Sequence, residues 1–181
     1  MAVHASRVLD ELLLVSAKAG DRRAFDALAR RWQKKLMAHA WRLLGDSEAA
    51  RDATQDGWVE IVRGLHRLRD ERAFPAWAFR IVSRRCARHV ASLIRGRQLA
   101  LSVQETEPGL LETHTPADFA GLRAAIRELP QEQRAAIALY HFEELSVAEV
   151  AVALDVPVGT VKTRLMHARG KLRAALGGDE G

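Results

Sequence analysis

The chain has 181 residues, of which 48% are hydrophobic, with a formal net charge of +5 and a pI near 10.0. That is apolar material for one mid-sized domain or two small ones, and the basic balance points to a polyanionic partner, either nucleic acid or a membrane surface. The single cysteine, Cys86, excludes an internal disulfide. The seven scattered histidines offer no ligand pair for a metal, and the run Leu12 to Val15 is too short for a signal-peptide core or a membrane span. These limits lead us to expect a cytoplasmic protein with no cofactor, no metal and no membrane insertion.

Leu, Ala and Arg dominate and β-branched runs are scarce, so an all-α fold is expected: two small helical domains joined by a flexible linker. Residues 1–19 read as an N-terminal extension. Within a first domain at 20–95, Phe25, Leu28, Ala29, Trp32, Leu36 and Ala40 recur at spacings of three and four, an amphipathic stripe that stops near Gly45. Asp46 or Ser47 can cap a second helix, with Glu48 in its first turn, running to about Leu65. Arg67 to Arg72 reads as a charged loop. A third helix covers roughly Phe74 to Ile94, with Pro75 tolerated at its start; extended to Arg97 it carries Arg80, Arg84, Arg85, Arg88, Arg95 and Arg97 and no acid.

Residues 1–95 carry 19 lysines and arginines against 11 acids, residues 96–118 carry 1 against 4, and residues 119–181 carry 8 against 8. The acidic middle, GRQLALSVQETEPGLLETHTPAD, has no sustained period and reads as a mostly irregular linker at 96–118. A second domain at 119–176, followed by a tail at 177–181, is expected to hold four helices. Leu122, Ile126 and Leu129 mark the first, ended by Pro130. Gln133 to Phe142 marks the next. Ser146-Val147-Ala148-Glu149 is a capping box opening a short helix with Val147, Val150, Ala151 and Leu154 inward. After the turn Asp155 to Gly159 comes a last helix with Val161, Leu165, Ala168 and Leu172 inward.

A short capped helix, a brief turn and a basic amphipathic helix make a helix-turn-helix, whose second helix lies in the major groove. The outward residues of that helix are Lys162, Thr163, Arg164, Met166, His167, Arg169, Gly170, Lys171 and Arg173, with no acid among them, as suits a helix lying among phosphates. No nucleophile–base arrangement, glycine-rich phosphate loop or metal-ligand spacing is visible, so no catalytic residue is assigned and the chain is not expected to be an enzyme. Cys86, between Arg85 and Ala87, reads as a buried thiol.

The segment LPQEQRAAIALYHFEELSVAEVAVALDVPVGTVKTRLMHARGKL resembles the C-terminal domain of the extracytoplasmic-function (ECF) sigma factors, above all in Pro157-Val158-Gly159-Thr160-Val161-Lys162-Thr163-Arg164. The resemblance extends to Phe25 to Leu44, to Asp52-Ala53-Thr54-Gln55-Asp56 and to Phe74-Pro75-Ala76-Trp77-Ala78-Phe79-Arg80-Ile81, and spans about residues 20–176. It implies an alternative sigma factor that directs RNA polymerase to promoters and starts transcription. A stand-alone helix-turn-helix regulator is the alternative.

The resemblance also implies roles for residues. Glu48, Asp52, Gln55, Asp56 and Glu60 would form a mostly acidic ridge that binds the clamp helices of the largest polymerase subunit, with a second polymerase contact to the flap. His66, Arg67, Arg69, Arg72, Trp77, Arg80, Arg84, Arg85 and Arg88 would handle the minus-ten element, the loop His66 to Arg72 capturing an unstacked base. Phe74, Trp77 and Phe79 could stack on bases or sit in the core. Thr160, Lys162, Thr163, Arg164, Met166, His167, Arg169 and Lys171 would meet the minus-thirty-five element. An anti-sigma factor is a further expected partner.

Overall fold

The computed structural model describes residues 2–99 and 120–176, with side chains over 5–96 and 121–176. Among the described residues there are eight α-helices, two 3-10 turns and no strand. In chain order they are α1 (Ala2–Lys18), α2 (Arg22–Leu44), α3 (Ser47–Gly64), turns at Leu65–Arg67 and Glu71–Ala73, α4 (Phe74–Leu99), α5 (Ala120–Arg127), α6 (Gln131–His141), α7 (Val147–Leu154) and α8 (Val158–Leu176).

Local chemistry sets the ends of these helices. The Asp21 carboxylate accepts from the backbone amides of Arg23 and Ala24 at the start of α2, and Asp46 accepts from Ala49 at the start of α3. Each cap of this kind stabilises its helix by roughly 0.5–2 kcal/mol. Gly45 stops α2 in the left-handed region (φ +69), where its lack of a Cβ removes the steric cost.

The expected stripe of α2 is the centre of the N-terminal core. Leu28, Trp32 and Leu36 are buried against Ile61 of α3 and Phe74, Phe79 and Val82 of α4. Trp32 meets Phe74 edge-on, with ring centroids 5.0 Å apart, a geometry suited to the aromatic quadrupole. The N-terminal extension, which sequence patterning left without structure, is a helix laid along α2 with Leu14 fully buried.

The first four residues of the expected linker continue α4, which ends at Leu99 and not near Ile94. The rest of that stretch, including Leu101, Leu110 and Leu111, and the tail 177–181 lie outside the described residues. The charged loop is wound into the two short 3-10 turns.

In the C-terminal half, α5 to α8 form the expected four helices. The capping box of α7 is complete: the Ser146 hydroxyl accepts from the Glu149 amide, and the Glu149 carboxylate accepts from the Ser146 amide at 2.7 Å. Val150, Ala151 and Ala153 of α7 pack against Val161, Leu165 and Ala168 of α8.

The two halves are packed together. α7 lies against α4 and α6 against α2, and their buried residues form one continuous cluster. A polar relay crosses the junction: the Ser83 hydroxyl donates to the Ala153 carbonyl at 2.7 Å, and His39 Nε2 stands 2.8 Å from the same hydroxyl. With Ser83 committed as donor, Nε2 carries the imidazole proton. Burial, reinforced by the Arg42 charge, pushes the His39 pKa down to about 3, so the ring is neutral.

Candidate nucleic-acid and protein interfaces

α8 is braced from behind and open in front. Val161, Leu165 and Ala168 face the core, while Lys162, Thr163, Met166, His167, Arg169 and Lys171 are exposed and Thr160 is half-buried. The turn that aims the helix is made by Asp155 in the left-handed region (φ +56), followed by Val156 and Pro157. The Thr163 hydroxyl donates back to the Gly159 carbonyl at 3.0 Å, which fixes its rotamer. Arg169 sits over the Tyr140 ring at 5.4 Å, a cation–π contact.

Arg164 departs from this open face. Its guanidinium donates to Glu132 of α6 at 2.7 Å, and its side chain is only 18% exposed. It ties α8 to α6, and its charge is already partnered.

On α3, Glu48, Asp52, Gln55 and Asp56 are exposed in a row, and the three acids have no ion-pair partner among the described residues. Glu60, expected as the fifth member, is taken by Arg85 through contacts of 2.6 and 3.0 Å. This pair neutralises one residue of the expected ridge and one of the expected minus-ten arginines together. Sequence patterning missed the groove beside the ridge, where Phe25, Ala29, Trp58, Val59 and Val62 gather next to Gln55. Val59 and Val62 are about half exposed there, the signal being two valines on a face otherwise read as polar.

A second hollow, about 490 Å³ in volume, is lined by Glu60, Arg63, Gly64, Arg67, Leu68, Arg69, Trp77 and Ile81. Three cations and one indole face a space large enough for a nucleobase. Trp77 is half-buried and lies against the Cα of Gly64, where an added Cβ would stand 2.8 Å from the ring. Phe74 and Phe79 are fully buried and belong to the core. His66, Arg67, Arg69 and Arg72 are exposed on the loop, and Arg72 pairs with Asp70 at 3.1 Å. That hydrogen bond holds the Asp70 carboxyl below the usual carboxylate range.

The arginines of α4 divide. Arg88 is exposed without a partner among the described residues. Arg80 and Arg84 both reach Asp155, at 3.0 and 3.1 Å, across the junction between the halves. Arg84's hydrogen bond and the charge of Arg80 hold Asp155 well below its ordinary pKa. Sequence alone did not signal this link, because the partners are 71 and 75 residues apart. Cys86 is buried, and burial pushes its thiol up to about 12, far from the thiolate that reactivity needs. Among the described residues no group of three or more His, Cys, Asp or Glu could hold a metal ion, and no helix is long and apolar enough to cross a membrane.

Comparison with known proteins agrees with this layout. Residues 28–95 match the family described as sigma-70 region 2, and residues 120–172 match sigma-70 region 4. The chain is 34% identical over 169 residues to the ECF RNA polymerase sigma factor SigM of Mycobacterium tuberculosis (strain H37Rv), covering 93% of this chain and 85% of that one. Among solved structures, the sigma factor RpoE in complex with the anti-sigma factor NepR from Bartonella quintana has the same fold, with a TM-score of 0.72, 22% identity and coverage of 86% and 98%. CnrH in complex with the cytosolic domain of CnrY follows with a TM-score of 0.62, 25% identity and coverage of 95% and 99%. The helix-turn-helix regulator considered above accounts for the second match and leaves the first unexplained.

Proposed function

The chain belongs to the ECF RNA polymerase sigma factors, which recognise promoters and initiate transcription, and from that premise we propose how its surfaces divide the work. Glu48, Asp52, Gln55 and Asp56 dock on the basic clamp helices of polymerase, helped by the apolar groove beside Gln55. The hollow between Arg67, Arg69 and Trp77 holds an unstacked base of the minus-ten element, and Arg80, Arg84 and Arg88 track the phosphates. The exposed face of α8 reads the minus-thirty-five duplex, with Lys162, Met166 and His167 nearest the bases and Arg169 and Lys171 on phosphate. Met166 donates no hydrogen bond, so that position selects by apolar contact, as with a thymine methyl. Arg164 keeps its place on Glu132. An anti-sigma factor that covers these surfaces belongs to the same reading.

The observation that carries this division is Asp155, whose carboxylate occupies Arg80 and Arg84. The two promoter elements lie about 25 base pairs, roughly 85 Å, apart along B-DNA. A compact chain of this length has a radius of gyration of about 16 Å. The packed arrangement therefore cannot touch both elements at once. Residues 100–119, fully extended, span about 70 Å, enough with the domains themselves to bridge them. In this reading the packed form is the resting form, and promoter engagement trades a carboxylate on Arg80 and Arg84 for phosphates.

The test is reconstitution with core polymerase from the same organism. The chain should drive initiation from specific promoters. Asp52→Lys with Asp56→Lys should weaken core binding at least tenfold, and Lys162→Ala should weaken promoter binding while core binding survives. Loss of core binding in Lys162→Ala, or undiminished core binding in the doubly reversed ridge, would refute the division.

A further inference from the structure

α1 lies outside both matched stretches, yet its last residue reaches the loop assigned above to base capture. The helix is seated firmly on α2. The Asp10 carboxylate accepts from Arg31 Nε at 2.6 Å and from Trp32 Nε1 at 3.1 Å, and Arg31 also donates to the Ser6 hydroxyl at 2.8 Å. Leu14 fills the space beneath. From this fixed base the Lys18 ammonium donates to the Leu68 carbonyl at 2.6 Å and to Glu71 Oε1 at 2.7 Å.

Those acceptors stand on either side of the bend at Arg69 and Asp70. The loop has few ties of its own there: Leu68 bonds back to Leu65, and Asp70 receives the amides of Arg72 and Ala73. Leu68, with Arg67 and Arg69 beside it, is the wall of the hollow facing Trp77 and Ile81. A surface ion pair alone contributes little. Lys18 differs because its side chain is only 21% exposed and one of its acceptors is a backbone carbonyl, so it fixes main-chain position. A base-capturing wall that shifts by an ångström loses its fit.

We propose that Lys18 is a positioning residue for minus-ten recognition, clamping the Leu68 wall so that α1 sets how selectively the loop holds its base. This rests on the reading of the hollow as the base pocket. The full chain is assembled with core polymerase as wild type, Lys18→Met, Lys18→Arg, Glu71→Gln and Trp77→Ala. Opening is followed by fluorescence of a base analogue placed in the minus-ten element, on duplex promoters carrying each of the four bases at the captured position.

Lys18→Met should slow opening at saturating DNA about fivefold to tenfold and flatten the preference among bases. The DNA concentration for half-saturation should hold, and Lys18→Arg should restore most of the loss. Glu71→Gln, which leaves the Leu68 tie, should cost about twofold. If Lys18→Met opens promoters with wild-type rate and preference while Trp77→Ala does not, the Lys18 proposal is overturned and the pocket stands. If Trp77→Ala is also silent, the pocket reading fails first. Should Lys18→Met lower thermal stability, Lys18→Arg decides: a base preference still flattened there overturns the proposal, and a restored one supports it.

Discussion

Asp155→Asn removes one charge at the junction between the halves and little else. Asp155 sits at φ +56, a conformation that Asn tolerates as readily as Asp, so the turn before α8 is kept. The substitution abolishes two ion pairs, to Arg80 and to Arg84, whose side chains are 39% and 48% exposed. Exposed pairs are weak singly, so their joint loss shifts the balance toward separated domains only modestly, by roughly fivefold. The assay is a distance distribution between spin labels at Asp26→Cys on α2 and Arg173→Cys on α8, both exposed positions. The long-distance population should grow about fivefold, and affinity for a single-stranded minus-ten oligonucleotide should rise with it. Salt should mimic the substitution in the wild type, since the screening length falls from about 10 Å at 0.1 M to about 3 Å at 1 M. An unchanged distance distribution, or salt dependence that persists undiminished in the variant, would refute the reasoning.

Two further perturbations test the packing behind the surfaces. Gly64→Ala places a methyl 2.8 Å from the Trp77 ring, so the indole must tilt. A destabilisation of about 1–3 kcal/mol is expected in thermal unfolding, with weakened binding of the minus-ten single strand; a normal melting temperature would show that the ring has room. The native His39 ring has its pKa lowered from 6.5 to about 3, while the unfolded chain protonates below 6.5. Its contribution to stability is therefore full above pH 6.5 and falls toward pH 3, by about 1.4 kcal/mol per pH unit. Urea unfolding between pH 7 and 5 should show this slope, and His39→Gln should lose it; an equal slope in both would exclude His39 as its source.

What could be read from the sequence was what is decided locally. The stripe through Leu28, Trp32 and Leu36, the cap at Asp46 and the box Ser146–Glu149 depend on neighbours within one or two turns, and all three are in the structure. The outward face of α8 was legible for the same reason. The pairs Arg85–Glu60, Arg80–Asp155 and Arg164–Glu132 were not, because a helical period shows that a side chain points outward but not what stands opposite. These arginines were assigned from their sign and position, and the carboxylates that engage them come from elsewhere in the fold: Glu60 from α3, Glu132 from α6 and Asp155 from the turn before α8. α1 escaped notice because its buried side is thin: Leu14 and Ala17 inward, with Leu12 and Val15 left on the outside.

The hydrogen bonds of Asp10 draw a boundary that the matched family regions do not. The matched family region begins at residue 28, inside α2, whereas the folded unit reaches back at least to Ser6. A chain shortened to start at residue 20 would leave Trp32 Nε1 and the Arg31 guanidinium without the carboxylate that receives them, and would remove Leu14 from the hollow it lines with Trp32 and Phe74. Trimming such a protein to its two matched family regions would thus cut through its foundations.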